Sequence, residues 1–223
     1  MKLTTETLSV LKNFSTINAG MQFKKGRMLS TVSPSKTIMA LATLTASQDD
    51  IPDDFCVYDL NEFLSVIALQ PDTDLEFDAT SIIFKAGRSK IKYRKTPVEM
   101  IVTPPAKPIT LPSIDVSFKL PVETYNFIMK TAAILSSPHI AIESDGEMVF
   151  IKTFDAANDS AHTNATEIDK GTGAKYRIVF KTENFKMIPD TYDVKVSFKG
   201  IGHFKGNRTE YWVAVEKKES QLA

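Results

Sequence analysis

The side chains best suited to acid–base, nucleophilic or metal chemistry in this 223-residue chain are few. They are His139, His162, His203, Cys56 and the adjacent carboxylates Asp53 and Asp54. A metal site needs its ligands clustered, and none of the three histidines has an i, i+4 partner or a nearby Cys and Glu at ligand spacing. They read as ordinary strand or surface histidines. Cys56 sits in the apolar run Phe55-Cys56-Val57-Tyr58, with no basic neighbour or helix N-terminus to stabilise a thiolate, and reads as a buried structural thiol. Asp53 and Asp54 lie in a polar loop beside Pro52 and are expected to be solvated. The run Gly200-Ile201-Gly202-His203-Phe204-Lys205-Gly206 misses the dinucleotide fingerprint by one residue and falls between strands, so it reads as a hairpin turn. No catalytic constellation emerges, and no cofactor is expected.

What remains is charge. Lys and Arg number 27 and so do Asp and Glu, so there is no global field to concentrate the protein on nucleic acid or an anionic membrane. Local charge is uneven. The runs 48–54 and 72–78 are acidic, whereas 85–95 carries Lys85, Arg88, Lys90, Lys92, Arg94 and Lys95. Within that run Lys90, Lys92 and Arg94 alternate with Ile91 and Tyr93, so a strand there has one basic face. Other lysines fall on expected helices (Lys12, Lys130, Lys186) or at their flanks (Lys2, Lys119, Lys181). Lysine makes labile point-charge contacts with phosphate and reads no base sequence. The plainer reading is the solvated face of amphipathic helices. Glu6, Glu62, Glu123 and Glu183 on the same helices dilute any positive surface.

The elements that position these residues are written twice. The strand-like 55–58 runs into a helix at 59–63, with strand-like runs at 74–77 and 81–94. About 122 positions later 176–180 runs into a short helix at 182–187, with strands at 192–198 and 211–216. Each half opens on an amphipathic helix, 5–14 and 121–135, and leads into a hairpin centred on Gly26 or Gly146. Thr4 or Thr5 caps the first helix. Asp59 caps the second, whose Leu60, Phe63, Leu64 and Ile67 share a face. Further strands are expected at 37–43 and 115–120, and the polar stretch 155–170 is an edge strand at best. Between the halves, 97–112 holds five prolines, which remove backbone donors and leave an extended connector.

Hydrophobic residues make up 43%, enough for folded cores, while no stretch approaches the roughly 20 apolar residues of a membrane helix. A single cysteine and no secretory leader point to a reducing, cytoplasmic setting, so the Asn-X-Ser/Thr triplets at Asn13, Asn158, Asn164 and Asn207 are chance matches. The residues 221–223 are expected to fray.

Several motifs, in order, carry a resemblance. They are Met1-Lys2-Leu3 with Leu11-Lys12-Asn13-Phe14-Ser15-Thr16-Ile17-Asn18-Ala19-Gly20, then Tyr58-Asp59-Leu60-Asn61-Glu62-Phe63-Leu64. Pro105-Ala106-Lys107-Pro108-Ile109 and Lys186-Met187-Ile188-Pro189 with Tyr192 follow. Together they resemble the DNA polymerase sliding clamp of T-even-type tailed phages over essentially the whole chain, less closely at 30–53 and 160–173.

The resemblance implies an α+β fold of two similar clamp-type domains, the DNA clamp fold. These would be 1–110, with the connector at about 97–112, and 111–223. Helices would lie on the inner face and antiparallel sheets on the outer face, with three subunits assembling as a ring. It implies a non-catalytic processivity factor of the host cell cytoplasm that encircles duplex DNA irrespective of sequence. An ATP-dependent clamp loader would open the ring, and the C-terminal tail of the polymerase would dock on it. Lys2, Lys12, Lys119, Lys130, Lys181 and Lys186 would then face DNA. Lys90, Ile91, Lys92, Tyr93 and Arg94 would form a subunit edge facing Asp159, Glu167, Ile168 and Asp169 of a neighbour. Ile101, Val102, Pro108, Ile109 and Leu111, with Phe204 and Trp212, would receive the partner peptide, unless the connector apolars pack onto their own sheets.

Other readings of the same residues stay open. The basic 85–95 strand is either a solvated edge protected by lysines or the nucleic-acid site of a monomeric replication accessory protein. The latter wants aromatics on the basic face for base stacking, and Tyr93 alternates to the opposite one. A small hydrolase or transferase would require a convergent titratable cluster, which the chain lacks.

Overall fold

The computed structural model describes residues 1–46, 49–69 and 73–221. They form two compact units, Met1–Lys107 and Pro108–Ala223. The first contains α1 (Thr5–Ile17), β1 (Met21–Phe23), β2 (Met28–Val32), β3 (Ile38–Thr43), β4 (Phe55–Val57), α2 (Leu60–Ala68), β5 (Asp74–Phe77), β6 (Ser81–Ala86) and β7 (Ser89–Arg94). Its strands make two antiparallel groups, β4-β1-β2-β3 and β5-β6-β7. The second contains β8 (Val116–Leu120), α3 (Val122–Ile134), β9 (His139–Asp145), β10 (Met148–Phe154), β11 (Asn164–Lys170), β12 (Lys175–Lys181), β13 (Tyr192–Ser197), β14 (Ile201–Lys205) and β15 (Thr209–Ala214). These pair antiparallel as β11-β10-β9-β12 and β15-β14-β13-β8. The two units thus share one connectivity. The chain start supplies the first unit's counterpart of β8: the Met1 amino group donates to Leu75 O at 3.0 Å and Leu75 N to Met1 O at 2.8 Å.

Periodicity explains the helices. Val10, Leu11, Phe14 and Ile17 form the buried face of α1, so the helix runs three residues past the expected Phe14 and ends at Asn18, whose side chain holds Val102 O and Gly20 N. Asp59 caps α2 by accepting from Asn61 N and Glu62 N. In the first unit the core is aromatic. Phe23 stacks on Phe55 at 4.5 Å, while Phe63 meets Phe84 and Tyr93 edge to face. In the second unit Phe180, Phe185 and Phe204 interlock with Tyr192, which in turn touches Tyr125 and Tyr211.

Four expectations need correction. The run 200–206 is no hairpin turn: Gly200 ends one turn, Gly206 begins the next, and β14 lies between them. Phe204 and its neighbours alternate between the two faces of the sheet, as residues of a turn do not. The run 81–94 is two strands folded at Gly87 (φ 56°), a conformation that glycine adopts without strain. The last expected helix is a single 3-10 turn at Thr182–Asn184, because Phe185 and Met187 are drawn into the core directly after it. Finally, Gln221 does not fray but exchanges backbone hydrogen bonds with Arg177, while Leu222 and Ala223 lie outside the described residues. So do Gln48 and Asp72 of the two acidic runs.

Candidate nucleic-acid interface and subunit edges

The helices carry the candidate phosphate contacts. The first is set by a buried carboxylate: Asp49 Oδ2 accepts from Thr4 Oγ1 and Thr7 Oγ1, both at 2.5 Å, and Asp49 Oδ1 accepts from Thr4 N at 2.9 Å. This places a negative charge at the positive end of α1. In sequence Asp49 reads as part of an acidic loop, and nothing in its neighbourhood distinguishes it from Asp50 or Asp53. The surface of α1 away from the core shows Thr5, Ser9, Lys12 and Thr16, and that of α3 shows Glu123, Phe127, Lys130 and Ile134. α2 has no cation at all. Lys12 and Lys130 therefore stand on solvent-facing helix surfaces, and Lys2 and Lys186 are exposed in the segments beside α1 and the 3-10 turn.

Lys119 and Lys181 do not belong with them. On β8 and β13 the inward residues are Val116, Phe118, Leu120, Tyr192, Val194 and Val196, and Tyr192 contacts Tyr125 of α3. Lys119 alternates to the opposite face, where register aligns Lys119, Asp193, Lys205 and Glu210 across four strands. It sits 4.0 Å from Asp193, and Lys205 sits 3.2 Å from Glu210. Lys181 alternates away from the core residue Phe180 and lies 3.8 Å from Glu183. A helix-flanking position in sequence is not a helix-side position once the flank is a strand.

Two of the strands that end their sheets, β7 and β11, carry the charged residues. On β7, Ile91 and Tyr93 face inward, with Tyr93 Oη donating to Asp59 O, while Lys90, Lys92 and Arg94 are exposed on the other face. Lys92 also lies 3.9 Å from Asp78 in the turn between β5 and β6. On β11, Ala165, Glu167 and Asp169 are exposed and Ile168 is half-buried. The register jumps there, Val149 facing Asp169 and Phe150 facing Glu167, which leaves Ile168 as the extra residue of a bulge. Asp159 is not on this strand. It falls in the turn before it, lining a small cavity of about 180 Å³ with Lys152, Arg177 and Glu219.

The expected peptide-docking set divides. Ile101 and Val102 belong to the first unit, where Ile101 packs over Gly20 so closely that a β-carbon there would lie 2.6 Å from Ile101 Cγ2. Val102 and Pro108 are exposed, and Ile109 and Leu111 are half-buried. Phe204 cannot take part: it is 1% exposed within the aromatic core. Trp212 occupies the opposite face of that sheet, stacked on His203 at 4.7 Å.

Cys56, His203 and His139 are structurally engaged, whereas His162 and Asp53 are exposed. Burial, with Asp54 and Glu99 nearby, pushes the Cys56 thiol up and away from reactivity. Burial pulls the His203 imidazole below the usual histidine value against the opposing pull of Glu210, 2.9 Å away. His139 Nδ1 accepts from Ala156 N. No group of three or more His, Cys, Asp or Glu able to hold a metal occurs among the described residues, and no helix among them is long and apolar enough to cross a membrane.

Comparison with known proteins assigns the arrangement. Residues 4–103 match the family model for the DNA polymerase processivity factor, and 117–217 that for the gp45 sliding clamp, C terminal. The sliding clamp of Vibrio phage KVP40 is 30% identical, over 97% of this chain and 99% of its own length. The sliding clamp of Enterobacteria phage T4 is also 30% identical, over 97% of each. In fold, the chain is similar to PCNA from Thermococcus kodakaraensis (TM-score 0.66, 14% identity, 95% and 96% coverage). It is similar too to the Helicobacter pylori beta clamp bound to a DNA ligase peptide (TM-score 0.67, 12% identity, 95% of this chain and 64% of that one). The α+β architecture of two similar units is the DNA clamp fold, and the chain belongs to the phage sliding-clamp family of DNA polymerase processivity factors.

Proposed function

We propose that three copies of this chain close into a ring around duplex DNA and tether the replicative polymerase to its template. The observation that supports this reading best is the pair of terminal strands of opposite charge on opposite units: β7 with Lys90, Lys92 and Arg94, and β11 with Glu167 and Asp169. Pairing β7 of one copy with β11 of the next is a heterologous contact, which forms a ring when the rotation from copy to copy closes. Inside the ring, Lys12, Lys130, Lys2 and Lys186 would give sparse phosphate contacts without base readout, so topology rather than affinity holds the protein on DNA. The protein performs no chemistry of its own. Its partners are a clamp loader that opens one boundary using ATP and the C-terminal tail of the polymerase, which docks by the connector residues Ile101, Val102, Pro108, Ile109 and Leu111. It works in the cytoplasm of the host cell.

Absolute mass by light scattering across a concentration series tests the assembly. A species at three times 24.8 kDa is expected. A monomer at every concentration, in the presence of loader and DNA as well, would reject the ring.

A further inference from the structure

We propose that His139 is a pH-sensitive latch: its neutral ring holds the loop 155–163 to the sheet that carries β11, and its protonation frees the loop and weakens the boundary between copies. The effect on the boundary rests on the ring reading, whereas the latch does not. His139 opens β9 and is fixed from both sides, paired with Phe154 of β10 and Lys181 of β12. Its ring lies 5.6 Å from that of Phe154, and its Nδ1 accepts a hydrogen bond from Ala156 N at 3.2 Å. A backbone N–H only donates, so this bond requires Nδ1 to be without a proton.

The loop depends on this bond because its turns close on themselves. Ala157 N and Asn158 N reach back to Asp155, and Ser160 N and Ala161 N to Asn158. Ala156 is the loop residue that packs on the apolar patch of Ala141, Phe154 and Val179. Asn158, Asp159 and Thr163 border a cavity of about 180 Å³ instead of close packing. At the far end Asn164 begins β11, opposite Thr153, so loosening at Ala156 is passed to the strand that carries Glu167 and Asp169.

The charges around the ring are mixed. β12 contributes Lys181, 3.8 Å from Glu183 of the next turn, and Arg177, which lies over the Phe154 ring at 5.1 Å. β10 contributes Lys152, 5.9 Å from the same ring. Asp155 and Asp159 of the loop and Glu219 of the C-terminal segment line the cavity with them. The partner of the imidazole is nonetheless a backbone donor and not a carboxylate. A proton added at Nδ1 sets donor against donor beside strands bearing cations, and the loop gives way before the paired strands do.

Amide hydrogen exchange of the full chain, read by mass spectrometry and corrected for the intrinsic effect of pH, tests the latch. Between pH of about 7.5 and about 5.5, residues 156–163 should lose protection about tenfold or more. The strands β13, β14 and β15 report any general loosening, to which His203 contributes. His139→Asn puts a non-titrating carbonyl oxygen where Nδ1 stands and should keep the loop protected at both pH values. His139→Leu removes the acceptor and should leave it unprotected at both. His162→Gln, on the same loop, should behave as the unsubstituted chain. In light scattering, acidification should raise the concentration at half-assembly about tenfold for the unsubstituted chain and leave His139→Asn unmoved. A loop that stays protected on acidification, or that loosens equally in His139→Asn, overturns the latch. Loosening without a change in assembly overturns its coupling to the boundary. A chain that is monomeric even with loader and DNA overturns the ring, and the exchange result then decides the latch by itself.

Discussion

Asp49 is the residue whose role most departs from its sequence context. It lies in an acidic run, yet its two oxygens take three donors from Thr4 and Thr7 and fix the start of α1. Asp49→Ala strands two hydroxyls and a backbone N–H, and should cost about 2–4 kcal/mol in urea unfolding; Asp49→Asn should cost less because one acceptor remains. His203 gives a pH signature. Its folded-state imidazole titrates below the ordinary 6.5, by burial first and against the pull of Glu210, with Lys205 and Lys195 adding to the lowering. Falling pH therefore protonates the unfolded chain first. Stability from this group is intact above about pH 6.5 and declines below it, and His203→Gln should flatten that part of a urea-midpoint profile. Phe204 carries a plainer lesson. An aromatic between two glycines in sequence reads as accessible, and it is core because β14 is the middle strand between β13 and β15.

At the scale of elements, the three α-helices, Asp59 as a cap, and the Gly146 hairpin were legible because each depends on neighbours within a few residues. The strands β6, β7 and β14 were blurred because a tight glycine turn and a strand glycine look alike until their partners are known. The sign pattern of β7 was readable, but the use proposed for it depends on β11, a strand far away in sequence. Charge reversal at the pair is informative for that reason: Lys92→Glu or Glu167→Lys alone should weaken assembly about tenfold in light scattering, and the two together should restore much of it. Failure of the pair to restore would place these edges elsewhere than opposite one another. The lysines belong to this scale as well. Replacing Lys12, Lys130 and Lys186 together by Ala should reduce the salt dependence of loader-assisted polymerase stimulation, by about one unit of log–log slope for each of them that meets a phosphate. An unchanged slope would remove them from the DNA-facing surface.

For the whole molecule, retention by topology predicts behaviour that affinity does not. Clamp loaded on nicked circular DNA should persist in salt high enough to abolish phosphate binding, and should leave when the circle is cut; gel filtration of labelled protein reads both outcomes. Loss from intact circles at the same salt would mean that the chain binds DNA as an open protein. The amino-acid sequence by itself determined the duplicated plan, the two cores and the family, because these rest on local periodicity, composition and the order of motifs along the chain. Only the tertiary structure decided that Asp49 and Phe204 are buried, that Lys119 lies in a charge ladder with Asp193, Lys205 and Glu210, and that Phe127 and Ile134 stand exposed. Those facts depend on which strand lies beside which and which face of the sheet is covered, and strand pairing over long separations is set by the packed whole rather than by any local run of residues.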